Sequence, residues 1–134
     1  MKTLLVVFTL TLSSFSFAQS ANCKKTFNAG VANFDKGVVS HNNGVTIYNT
    51  INGSPTTAEA CVRMKKSETL FNSGAVQFDG AAVSFKAAQK VCDPKNVKIA
   101  KENTVRAENN ATQAKTYRNS VLDLQIQFCK VELE

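Results

Sequence analysis

The chain has 134 residues, 43% of them hydrophobic, with a formal charge of +6 and four cysteines. That length suits one domain with a continuous core and calls for no second. The moderate basic excess favours acidic partners, and with no aromatic-basic signature of an RNA-binding module, nucleic acid is not an expected partner.

Residues 1–18 read as a secretory signal peptide: Lys2 is the charged start, residues 4–12 are the apolar run, and Ser16-Phe17-Ala18 is a small-x-small cleavage site. The run is too short to span a bilayer, so no transmembrane segment is expected in the mature form. Cleavage would leave residues 19–134 as a single disulfide-bonded helical domain with a charge of +5, since Lys2 is lost. Four cysteines in such a chain point to two disulfides and to the periplasm or the extracellular space. Gaps of 38, 31 and 37 residues, with one histidine in the chain, do not fit a zinc site, and no metal or cofactor is expected.

From residue 20 onward a seven-residue pattern runs through Cys23, Phe27, Gly30, Phe34, Gly37, His41, Gly44, Tyr48 and Ile51, as expected for a helix packed along its length. His41-Asn42-Asn43-Gly44 resembles a C-terminal stop, and residues 45–51 have strand-like chemistry without an evident strand partner. The firm helix is therefore placed at residues 20–42, with 45–51 left open between helix and loop. A turn follows at Asn52-Gly53-Ser54-Pro55.

A second helix is expected from Thr56 or Thr57, where a hydroxyl can cap free amides, to Cys92-Asp93-Pro94. It carries Phe71, Phe78, Phe85 and Cys92 at one heptad position, and Gly74, Ala81 and Ala88 at the other. Offset by 44 residues, Phe27, Asn28, Gly30, Phe34, Asp35, Val39 and Ser40 match Phe71, Asn72, Gly74, Phe78, Asp79, Val83 and Ser84, which reads as an internal repeat. Its core residues are Phe27, Gly30, Phe34, Phe71, Gly74, Phe78 and Phe85. Glycine inside a helix costs up to about 1 kcal/mol against alanine, so these glycines imply close helix approach, with rings filling the hollows.

A third helix is expected from Pro94 to about Val131, after a tight connection at residues 93–96. Its seam reads Val97, Ala100, Thr104, Ala107, Ala111 and Ala114, then Tyr117, Val121, Leu124 and Phe128. The change of phase near Tyr117 looks like a stutter.

These helices decide the cysteine pairing. Cys61 and Cys92 would lie about 46 Å apart on one helix, and Cys92 and Cys129 further apart on the next, so neither pair can close. Cys23 with Cys92 and Cys61 with Cys129 remains. The expected fold is an all-α, elongated, antiparallel, coiled-coil-like three-helix bundle stapled at both ends.

His41 falls on the apolar seam, which favours a buried or helix-terminal role over catalysis. Asp35 and Asp79 lie one place past it and are expected to face water. There is no nucleophile elbow and no phosphate-cradling glycine loop, so no catalytic residue is assigned and enzymatic activity is not expected. Asn52-Gly53-Ser54 and Asn110-Ala111-Thr112 match the glycosylation triplet.

The Cys23–Cys92 pairing gathers Lys24, Lys25, Lys86, Lys90, Lys95, Lys98 and Lys101 at one end, with Asp93 and Glu102 as nearby acids. At the other end Glu59, Asp123, Glu132 and Glu134 offset Arg63, Lys65, Lys66 and Lys130. The expected function is that of an exported, non-enzymatic binding protein docking an anionic surface or a protein partner through this basic tip. The second reading is a carrier holding a small apolar ligand between the Phe/Gly-lined helices.

Overall fold

The computed structural model describes residues 20–51 and 57–129. The expected signal peptide, the turn at residues 52–55 and the charges at Lys130, Glu132 and Glu134 lie outside the described residues. Three helices follow in order, α1 (Ala21–Asn49), α2 (Ala58–Val91) and α3 (Pro94–Phe128), and no strand occurs among the described residues. They form an antiparallel bundle in which α1 and α3 each pack along α2 and touch one another little. At 1.5 Å per residue the rod is about 50 Å long.

Each helix starts on a side-chain cap. The Ser20 hydroxyl oxygen accepts from Cys23 N–H, Thr57 Oγ1 from Ala60 N–H, and the Asp93 carboxylate from Asn96 N–H, satisfying amides that a helix start leaves unpaired. Pro94 occupies the first turn of α3. The α2–α3 connection is therefore only Cys92 and Asp93, tighter than the expected four residues.

α1 does not stop at residue 42. It runs on to Asn49, making most of residues 45–51 helical. The physical reason is packing. Gly44 is buried under Phe71 and its carbonyl accepts a hydrogen bond from Ser67 Oγ at 2.9 Å, while Ile51 joins a core of Met64, Phe71 and Val121. These contacts outweigh the local tendency of Asn-Gly to end a helix.

The α1–α2 contact sets rings into glycine hollows. A Cβ built on Gly30 would lie 2.6 Å from the Phe85 ring, one on Gly37 2.7 Å from Phe78, and one on Gly44 3.0 Å from Phe71. On the partner positions Phe27 meets Phe85 and Phe34 meets Phe78 edge-on, each with centroids 5.2 Å apart, a favoured aromatic geometry. A Cβ on Gly74 would stand 3.3 Å from the Gly37 carbonyl oxygen and the His41 nitrogen, so there two backbones meet.

The α2–α3 contact is different. α3 brings alanines, Ala100, Ala107, Ala111 and Ala114, to the core that Phe78, Phe85, Ala75, Ala81 and Ala82 of α2 share with α1, and Tyr117 stacks on Phe71. Polar pairs cross the seam: Gln89 Nε2 donates to Thr104 Oγ1 at 2.9 Å and Arg118 Nε to Glu68 Oε1 at 3.0 Å. The expected phase change near Tyr117 is absent. Asn96, Asn103 and Asn110 are buried at the seven-residue positions that Tyr117 and Leu124 continue, beside the steady column Ala100, Ala107, Ala114 and Val121. α3 ends at Phe128, three residues short of the expected Val131.

Both disulfides, Cys23–Cys92 and Cys61–Cys129, are formed and no described cysteine is free. They close loops of 69 and 68 residues and suggest an oxidising, exported environment. No described helix is long and apolar enough to cross a membrane.

Candidate functional site: the basic end of the rod

Three chain segments converge where α2 turns into α3. The Cys23–Cys92 bond holds the start of α1 against the end of α2, and Ser20 Oγ adds a 3.2 Å hydrogen bond to the Val91 carbonyl. Lys24 and Lys25 follow Cys23 directly. Lys90 precedes the turn, and Lys95, Lys98 and Lys101 leave it along α3 within about 10 Å by helical rise. All are exposed, and none forms an ion pair among the described residues.

Lys86, the seventh lysine of the expected set, does not belong with them. Its Nζ lies 2.5 Å from Glu108 Oε1, so its charge is taken up on the shaft. Of the two expected acids, Asp93 is turned to capping: its carboxylate accepts from the Asn96 backbone at 3.1 Å and from Asn96 Nδ2 at 2.7 Å. The Asn96 backbone hydrogen bond foremost, with the Lys95 charge as a lesser cause, holds it below the usual carboxylate range.

Elsewhere opposite charges meet. Arg63 pairs with Glu59, Lys115 with Asp79 at 2.8 Å, and both Arg118 and Lys65 with the largely buried Glu68. The Glu68–Arg118 link spans 50 residues and carries no local sequence signal.

The seven core residues named from the sequence, Phe27, Gly30, Phe34, Phe71, Gly74, Phe78 and Phe85, are all buried. The Gly30 hollow is filled by the Phe85 ring, and Gly74 is covered by the α1 backbone at Gly37 and His41. His41 is fully buried as well, with its ring 5.2 Å from Phe71, 6.5 Å from Phe78 and 5.4 Å from Tyr117. Burial lowers its pKa, so it is neutral at neutral pH. Its contact with Tyr117 of α3 could not be read from the sequence, because Tyr117 is 76 residues away.

Asp35 and Asp79 are exposed on separate helices. An open groove between α1 and α2 is lined by Asp35, Lys36, Val39, Ser40 and Gln77. Asn110 of the second glycosylation triplet is buried in α3, where a glycan would not fit. Among the described residues no group of His, Cys, Asp or Glu could hold a metal ion.

The fold and its charges define a disulfide-stapled helical rod with one end where six lysines outnumber two acids. Comparison with protein-family models, curated proteins and solved structures gives no match.

Proposed function

We propose that this is an exported, non-enzymatic interaction protein, secreted to the periplasm or the extracellular space, that docks an anionic partner through its basic end. The observation that carries the reading is the set of six exposed lysines, drawn from all three helices and in no ion pair among the described residues, which outnumber the two acids beside them, Asp93 and Glu102. The filled glycine hollows favour docking over carriage of an apolar ligand, since the rings already occupy the space such a ligand would need.

We also read α1 and α2 as two copies of one segment. Offsetting by 44 residues turns the Gly30–Phe85 contact into the Gly74–His41 contact, which supports that reading. A repeat of this kind explains how one glycine-and-ring pattern serves both sides of an antiparallel pair.

The test is the salt concentration that elutes the protein from an immobilised polyanion such as heparin. Lys95→Glu/Lys98→Glu should elute much earlier than wild type, while Lys36→Glu/Lys66→Glu, with the same net charge change on the shaft and far half, should elute near wild type. Equal losses in the two variants would reduce the effect to net charge and overturn the docking site.

A further inference from the structure

Resting on that reading of the basic end, we infer that its partner is a bilayer rich in anionic phospholipid and that the rod docks on it end-on, with the helices upright. Lys24 and Lys25 come from α1, Lys90 from α2, and Lys95, Lys98 and Lys101 from α3. All three helices therefore contribute at the same end of the rod.

Screening decides the orientation. At physiological ionic strength the Debye length is about 8 Å, so a lysine further than that from an anionic surface adds little. A rod lying on its side brings down the lysines of the helices beneath and holds others about a helix diameter, roughly 10 Å, away. It also presses down the mixed charges of the shaft, such as Asp79 with Lys115 and Glu108 with Lys86. The upright pose brings Lys24, Lys25, Lys90, Lys95 and Lys98 towards the surface together and leaves Lys101, about 10 Å along α3, at the margin of the screening range.

The chemistry of the cluster points to an extended surface and away from a single bound anion. Every unpaired cation at this end is lysine, while Arg63 and Arg118 are engaged with Glu59 and Glu68 further along. Arginine forks suit bidentate recognition of one phosphate or carboxylate; lysine ammonium groups act as mobile point charges and match an array of phosphates without fixed geometry. Val91, 41% exposed beside Lys90 at the turn, offers an apolar side chain to the headgroup boundary.

The test uses the oxidised mature protein on supported bilayers and vesicles of phosphatidylglycerol mixed with phosphatidylcholine, and of phosphatidylcholine alone. Binding should require phosphatidylglycerol, and Lys95→Glu/Lys98→Glu should weaken it at least about thirtyfold, since each lysine near an anionic surface contributes about fivefold. Circular dichroism checks that the variant is folded. Polarised infrared spectroscopy of the amide I band then reads the tilt of the nearly parallel helices, and the expected result is axes close to the bilayer normal. Helices lying in the bilayer plane would overturn end-on docking while leaving the basic end as the contact. Retention on heparin without binding to phosphatidylglycerol would overturn the lipid partner and direct attention to a soluble acidic one. Loss of tip-dependent retention on heparin would remove the reading on which the inference stands.

Discussion

Against α1, α2 places Phe71, Phe78 and Phe85 on Gly44, Gly37 and Gly30, whereas α3 brings to α2 mostly alanines, one ring (Tyr117, stacked on Phe71), and polar and charged pairs. The two faces position their partners by different means. A ring in a glycine hollow accepts only one longitudinal setting, because sliding by one turn would drive it into a neighbouring side chain. An alanine surface is smooth, so register there depends on the Phe71–Tyr117 stack together with Gln89–Thr104, Glu68–Arg118 and the Cys61–Cys129 bond. The first face is specified by shape and the second mainly by polar chemistry.

The largest effect should come from filling a hollow. Gly37→Leu would force the Phe78 ring out of place, costing about 3 kcal/mol and roughly 10 °C in melting temperature. Gly80→Ala is the matched contrast. Its new methyl would meet only the Asn33 side chain, at 3.3 Å, and that chain can yield, so helix propensity should raise stability by up to about 1 kcal/mol. Thermal denaturation of the two variants would break the comparison if Gly37→Leu were neutral.

A smaller loss is expected on the polar face. Glu68→Gln leaves the Arg118 guanidinium without its charged partner, but Arg118 is 38% exposed and water compensates in part, so about 1–2 kcal/mol is expected. Asp79→Asn breaks the exposed pair with Lys115 and should cost within about 0.5 kcal/mol. Urea titration of both sharpens the distinction between a pair that sets register and one that only decorates the surface.

The smallest effect at neutral pH is at His41, where the α1–α2 contact reaches α3. Burial holds the folded imidazole below its ordinary 6.5, so below that pH the unfolded chain binds a proton that the folded one refuses. The contribution to stability is complete above about pH 6.5 and is lost progressively as pH falls towards the lower folded value. Tyr117 is the titratable side chain recorded against the ring. Melting temperatures from pH 7.5 to 5 should fall for wild type and stay flatter for His41→Phe. Parallel curves would remove His41 as the source of acid sensitivity.

The shape-specified face was largely legible in the sequence, since Phe and Gly recurring every seven residues name both the knob and the hollow. The polar face was not. Asn96, Asn103 and Asn110 repeat with the same period, yet asparagine is ordinarily read as exposed, so the apolar pattern finds the buried Thr104 and Ala111 beside them but misses the asparagines and suggests a change of phase that the fold does not make. Local chemistry also ended α1 too early, because nothing around Asn43-Gly44 discloses that Phe71 will cover that glycine and Ser67 will hold its carbonyl. The basic end was visible through the cysteine pairing, but the removal of Lys86 by Glu108 depends on packing between α2 and α3.

Both the fold and the basic end rest on the register of α1 against α2. Five contacts along the pair have residue numbers with the same total: 30 with 85, 37 with 78, 44 with 71, 41 with 74, and the bonded pair 23 with 92. Peptide mapping of the folded, non-reduced protein by mass spectrometry tests this most directly. The expected result is a peptide pair linked through Cys23 and Cys92, a second linked through Cys61 and Cys129, and no free thiol. A link from Cys92 to Cys61 or to Cys129 would contradict the register, because no continuous helix of this length can bring those residues together.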